Sequence, residues 1–295
     1  MKLPYEAPSH PGIPTISEID EAMKTNKLSG RYGRFPEAEN LLFLEKHPQI
    51  RTPKLYAVFT TQNEHLNRPY YMVTEFIEGE TLTYELWSTL DKDTRSLLCS
   101  NLAEQLQHIR SIPSEGYYGR LYKQGWGGRM GLLRTDGKKL QGPYDTYDEF
   151  FSAMFTAAEL QLSMNDNLVG WHPRAESYLS KFKHVLSTCT GRQPTLTHLD
   201  PGLYNIIVNK VQGEKGNTDH WEIILIDWAE FGWYPAWMQS VAFDSQICFW
   251  SNEEQKRIFA STEEALGMLS RGFDNAYPEQ VEVFRLIDRE GYSVM

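Results

Sequence analysis

The side chains best equipped for chemistry gather in two short stretches, THLDPGLYNIIV at 197–208 and LIDWAEFGWYP at 225–235. In the first, His198, Asp200 and Asn205 follow the spacing His-x-Asp-x-x-x-x-Asn, with Asp200 and Asn205 on opposite sides of a Pro-Gly loop that feeds an apolar run. In the second, Asp227 closes another apolar run. If the two runs pair as a hairpin, the loop before the first lies beside the end of the second, and Asp200, Asn205 and Asp227 converge. Asn205 and Asp227 are oxygen ligands of the kind that suit Mg²⁺, which keeps several waters and binds through few protein groups. A carboxylate left free of the metal, Asp200, can accept the proton of an attacking hydroxyl. Phosphoryl transfer needs that combination: metal on the phosphate oxygens and an Asp that positions the nucleophile. Singly, an Asp and an Asn of this kind occur in ordinary loops. The full spacing, the hairpin and the terminal Ile226-Asp227-Trp228 argue for a site.

The same residues support a second chemistry. His198, Asp200 and Asp227 can serve as acid/base groups, with Trp228, Phe231, Trp233, Tyr234 and Trp237 walling an apolar pocket. Core packing is the first expectation for any one of these rings taken alone. Glu230 reads as a contact for a cationic substrate or as a solvated carboxylate.

These residues depend on the elements that flank them. YNIIVNK and HWEIILID form a strand pair over 204–227, joined by a polar turn. Residues 55–60 and 70–76 read as two further strands joined by the polar TQNEHLNRP. A helix is expected from Pro36, a tolerated first-turn position, with Ala38, Leu41 and Leu42 at helical spacing. Another covers 91–110, where Leu97, Leu98, Leu102, Leu106 and Ile109 recur. Further helices are expected over 146–163, over 174–187 and after Gln239. Residues 1–14, with four prolines, read as an extended arm, followed by a short helix capped by Ser17 and stopped at Gly30. The glycine-rich stretch 116–142 reads as a long loop that lines a site or stays mobile. Its GWGGRMG lacks the Gly-Lys-Ser/Thr ending of a phosphate loop.

Composition narrows the partners. The 295 residues carry 29 basic and 39 acidic side chains, a formal charge of −10, and no basic run to neutralise phosphates, so nucleic acid is not an expected partner. No stretch approaches the roughly 18 apolar residues a membrane span requires, and MKLPYEAPSHPG has no apolar segment of secretory type. Cys99, Cys189 and Cys248 are odd in number and far apart, as expected of reduced thiols in a cytoplasmic protein.

At His198-Leu199-Asp200 with Asn205, and at Ile226-Asp227-Trp228, the chain resembles the aminoglycoside phosphotransferase and choline kinase-like family, in its fungal-type branch. The resemblance extends to MVTEFIEGETL at 72–82, IRSIPSEGYYG at 109–119 and GWYPAW at 232–237, and so to nearly the whole chain. It implies an α+β, protein-kinase-like, two-lobed fold with a trimmed β-containing N-lobe and a large, mostly helical C-lobe. The implied divisions are an arm and short helix (1–30), the trimmed N-lobe (31–79, hinge near 75–79) and the C-lobe (80–295). It also implies that ATP binds with its adenine against the backbone of Glu75, Phe76 and Ile77. Glu37 then matches the family's helix Glu, and Arg31 stands where the family has Lys, a change that alters phosphate geometry.

Upstream of Arg31 the family's strand pair and phosphate-covering loop have no counterpart in the sequence. A sheet edge left open in this way must be covered, by a homodimer or by a fold-back of residues 1–14. Two functions remain. One is a small-molecule kinase using ATP and Mg²⁺, with Asp200 as base, Asn205 and Asp227 on the metal, and Arg31 with Glu37 on phosphate. The other is a repurposed relative without nucleotide. It acts on a biosynthetic small molecule by cyclisation, elimination or isomerisation, or only binds it as a pseudokinase, with Trp228, Glu230 and Trp233 toward the ligand.

Overall fold

The computed structural model describes residues 3–15, 17–18, 21, 35–60, 70–126, 129–130, 133–134, 140–164, 174–211, 220–246, 264–270 and 277–292. Arg31, most of the expected helix from Ser17, and the 61–69 connection lie outside the described residues.

In the small lobe, β1 (Tyr5–Glu6), β2 (Leu55–Thr60) and β3 (Tyr70–Thr74) form one antiparallel sheet in that order. Helix α1 (Phe35–Leu44) packs on β2 and turns Ala38, Leu41 and Leu44 inward, a spacing of three that keeps them on one face. The proline-rich arm supplies β1. Tyr5 stands opposite Val58 and Glu6 opposite Ala57, and Ala7 N–H donates to the Tyr56 carbonyl at 2.8 Å. The arm itself therefore closes this edge of β2, and a second copy is not needed there.

From the sheet the chain passes to the large lobe at Gly79. The short β4 (Glu80–Thr81) pairs with β8 (Ile206–Val211), which pairs in turn with β9 (His220–Leu225). Gly79 has φ +138°, and a Cβ there would stand 2.6 Å from the Val208 carbonyl oxygen. Only glycine tolerates both the conformation and the approach. The connection between the lobes is thus laid directly on the strand pair that carries the candidate site.

Helices make up most of the rest. Thr83 caps α2 (Tyr84–Thr89) and Asp91 caps α3 (Lys92–Ser111), each accepting a backbone N–H three residues on. Leu98, Leu102, Leu106 and Ile109 of α3 are buried on its inward face, whereas Leu97, expected with them, points away and is exposed. The small hairpin of β5 (Arg129–Met130) and β6 (Leu133–Arg134) precedes α4 (Tyr147–Met164) and α5 (Ala175–Thr188). A second ladder follows between β7 (Pro194–His198) and β10 (Phe231–Pro235). Then come α6 (Met238–Ser245) and α7 (Pro278–Tyr292), the latter against α4, α5 and α6. No described helix is long and apolar enough to cross a membrane.

The stretch expected as a loop at 116–142 is in its first part built into the fold. Tyr118 bridges Tyr144, Gly119 bridges Trp233, and Tyr117, Tyr118, Leu121 and Trp126 are buried. Tyr122 is exposed, and the backbone stays close to β10, where Gly119 N–H donates to the Trp233 carbonyl at 3.1 Å and Trp233 N–H to the Gly119 carbonyl at 2.8 Å. Two apolar cores result. Trp228, Phe231 and Trp233 belong to the one that runs from the small lobe into α3, and Tyr234, Trp237 and Met238 belong to the helical one.

Candidate active site

Two loops, 199–205 and 226–230, face each other because both of their ends are fixed. At one end the β7–β10 ladder sets His198 opposite Phe231, and Leu199 N–H donates to the Glu230 carbonyl at 2.9 Å. At the other, Ile206 stands opposite Leu225, and Ile226 N–H donates to the Asn205 carbonyl at 2.9 Å. The hairpin expectation accounts for the second end. The first ladder has no such signal in the sequence, since both of its strands are five residues long, β7 beginning at Pro194 and β10 carrying Gly232 inside it and Pro235 at its end.

Within this frame Asp200 is held on three sides. Asn205 Nδ2 donates to its Oδ2 at 2.8 Å and to its carbonyl at 2.9 Å, and the Tyr204 hydroxyl donates to Oδ1 at 2.7 Å. Asp227 has φ +57°, the left-handed conformation that Asp adopts more readily than most residues. His198 Nε2 donates to the Ile226 carbonyl at 3.2 Å, and Nδ1 accepts Asp200 N–H at 3.2 Å, so the backbone partners fix the tautomer. Burial pushes the His198 pKa below its usual range, while the charges of Asp200 and Asp227 oppose that shift. Asn205 is thus bonded to Asp200 through its side chain and to Ile226, the residue before Asp227, through its backbone.

Three expected residues are corrected. His198 was a candidate acid/base group, but its ring is fully enclosed and both nitrogens are engaged by backbone, so it ties one loop to the other. Buried Gln239 completes that tie: its Oε1 accepts His198 N–H at 3.2 Å and its Nε2 donates to the His198 carbonyl at 2.9 Å. Trp228 and Trp233 were candidate substrate contacts, yet protein encloses both, and Trp228 Nε1 donates to the Leu225 carbonyl at 3.0 Å. The sequence cannot distinguish a ring that walls a pocket from one that fills a core. Glu230 is half-buried, with its carbonyl on Leu199.

Where a hinge was expected, at 75–79, the Glu75 carboxylate is engaged. Arg51 grips it with two nitrogens at 2.8 and 2.9 Å, and Lys54 N–H donates to it at 3.1 Å. The Arg51 hydrogen bonds hold this carboxyl below its ordinary range. Phe76 is 85% exposed and Ile77 is buried. Neither forms a backbone hydrogen bond with another described residue.

Residues that the motif reading missed lie on α1. Asn40 is wholly buried, and its Nδ2 donates at 2.6 Å to the carbonyl of Trp228, the residue after Asp227. Glu39 is buried too and accepts from Arg120 at 3.1 Å and from Gln124 at 3.0 Å. The available signal was the pair of polar residues between Ala38 and Leu41 on a helix whose apolar positions face inward. Glu37, in the first turn, is half-buried.

Among the described residues no group of three or more His, Cys, Asp and Glu forms a metal cluster, so the candidate set is two carboxylates and one amide. The set is chemically consistent with a hard cation: with Asn205 Nδ2 on Asp200, the side-chain oxygen Oδ1 is the atom that a metal would take.

No protein-family model and no curated protein sequence matches the chain. Solved structures do. The ADP-bound aminoglycoside phosphotransferase APH(2'')-Ib is 15% identical, with 93% of this chain and 77% of that chain covered at a TM-score of 0.50. Aminoglycoside-3'-phosphotransferase of type VIII is 17% identical over 87% of this chain and 79% of its own, at 0.45. The likeness to the first shows the fold: this is an α+β, two-lobed, protein-kinase-like architecture with a modest β-containing small lobe, as aminoglycoside phosphotransferases have.

Proposed function

We propose that the protein is a cytoplasmic small-molecule phosphotransferase of the aminoglycoside phosphotransferase and choline kinase-like kind, using ATP and Mg²⁺. The observation that carries this reading is the junction of the two loops: Asn205 bonded to Asp200 at 2.8 Å through its side chain and to Ile226, next to Asp227, at 2.9 Å through its backbone. Asp200 accepts the proton of the substrate hydroxyl. Asn205 and Asp227 are the residues that would hold Mg²⁺, which when bound neutralises charge on the phosphate oxygens. His198 and Gln239 keep the two loops in register. Phe76 and Ile77 offer backbone groups to the adenine, and Glu75 fixes their approach through Arg51. Glu37 and Arg31 are the proposed phosphate anchor, and Glu230 the proposed contact for a cationic part of the substrate.

A second reading, acid/base chemistry on a biosynthetic molecule without nucleotide, draws on the small sheet, one of whose three described strands is two residues long. Isothermal titration calorimetry with ATP and Mg²⁺ decides between them. Heat of binding that depends on both is expected. None at millimolar nucleotide removes the phosphotransferase reading.

A further inference from the structure

Both carboxylate oxygens of Asp200 already accept a hydrogen bond from a neighbouring side chain. Its Oδ2 is turned to Asn205, a residue only 2% exposed, and its Oδ1 lies under the hydroxyl of Tyr204. Tyr204 itself is 54% exposed, an unusual position for a ring whose polar end sits on a buried cluster. The same hydroxyl lies 3.0 Å from Oε1 of Gln246, the residue that ends α6. A phenol has one proton and can donate it to one acceptor at a time. Tyr204 therefore stands between two acceptors, one of them the carboxylate assigned as base.

We propose that the Tyr204 hydroxyl occupies the place of the substrate's acceptor hydroxyl on Asp200 and is displaced onto Gln246 when substrate enters. The inference rests on the phosphotransferase reading and adds to it a gate. Gln246 Oε1 offers the displaced phenol a neutral acceptor in place of a carboxylate, so leaving Asp200 exchanges a charge-assisted hydrogen bond for a weaker one, a cost that a substrate hydroxyl held by the rest of its own binding can meet. Water, which lacks the binding energy of a substrate to displace the phenol, is kept from the base. Tyr204 is thus a specificity residue against hydrolysis, carried one position before Asn205 in the short turn Leu203–Asn205 that follows Gly202.

Gly202 provides an independent handle. Its φ is −65°, so alanine is conformationally acceptable, but a Cβ there would come within 2.6 Å of the Tyr204 ring and 2.8 Å of Gln246 Oε1. Gly202→Ala therefore pushes the ring off Asp200 while keeping its hydroxyl, and Tyr204→Phe removes the hydroxyl while keeping the ring.

The test uses the full chain with MgATP and no other acceptor. In the reaction followed, water oxygen bonds to the γ-phosphorus and its proton passes to Asp200. The bond to the β,γ-bridging oxygen breaks, and ADP leaves with the electron pair. ADP release is expected to rise roughly tenfold in Tyr204→Phe and in Gly202→Ala, the scale of one hydrogen bond to a carboxylate. MgATP affinity by calorimetry should be unchanged in both. Normal nucleotide binding with ADP release equal to or below that of the unaltered protein in Tyr204→Phe overturns the gate and leaves the phosphotransferase reading standing. Absence of MgATP binding in the unaltered protein overturns both.

Discussion

The two sides of the candidate site are fastened by different means. On the large-lobe side, loops 199–205 and 226–230 are held at both ends by strand ladders and between them by His198, Asn205 and Gln239, all but fully buried. On the small-lobe side, the expected hinge is held by a partly exposed Arg51–Glu75 pair and leaves Phe76 85% exposed. Buried, fully bonded polar groups fix geometry in advance, which is what charge stabilisation in a transition state requires. An exposed ion pair fixes far less. The large-lobe side is rigidly fixed, then, and the small-lobe side is fixed far less.

The largest break in that contrast comes from Asp200→Asn. A positioned general base contributes about 10²–10⁴-fold to rate, so ADP formation from MgATP should fall by that order while calorimetric binding of MgATP survives. Turnover that is unaffected would remove Asp200 from the chemistry.

Next in size is the joint between the lobes. Glu39→Ala leaves the Arg120 guanidinium, whose side chain is only 16% exposed, without its carboxylate. Breaking a buried pair from one side costs about 3–5 kcal/mol, to be read as a lowered urea midpoint. Adding Arg120→Met should recover much of the loss, and failure to recover it would mean that the pair is not what holds α1 to the large lobe.

Asn40→Ala acts closer to the site. It orphans the Trp228 carbonyl, with an expected cost of about 1–3 kcal/mol. Because that carbonyl follows Asp227, MgATP should also bind more weakly at a temperature where the variant is fully folded. Lost stability with unchanged affinity would make Asn40 a packing residue only.

How much of this was readable in advance follows from the kind of signal. The register of β8 and β9 was legible because apolar, β-branched runs flank a polar turn, and so the approach of Asn205 to Asp227 was legible too. Helix α1 was legible in its apolar stripe, but the roles of Glu39 and Asn40 were not, since a polar residue on a buried face declares its partner only in three dimensions. The β7–β10 ladder escaped because Gly232 and Pro235 weaken the strand pattern of β10. The tie formed by His198 escaped because a histidine beside an aspartate suggests acid/base chemistry in sequence, whereas burial and two backbone partners make it structural. The arm was read as a possible cover for the sheet edge, and its pairing with β2 supplies one.

The smallest effect tests the less firmly fixed side. Arg51 holds the Glu75 carboxyl below its usual range, so the folded state binds that proton less readily than the unfolded chain. Its contribution is therefore fully present above the ordinary glutamate value of about 4.3 and is lost as the pH falls through the depressed folded value. The pair is partly exposed, so its worth at neutral pH is about 1 kcal/mol or less. Glu75→Gln should lower the urea midpoint slightly at pH 7, and the difference from the unaltered protein should close on acidification below pH ~4. Salt should shrink it as well, because a partly exposed pair is screened. A difference that persisted undiminished in acid would mean that Glu75 acts through packing rather than charge, and this side would then be as firmly built as the other.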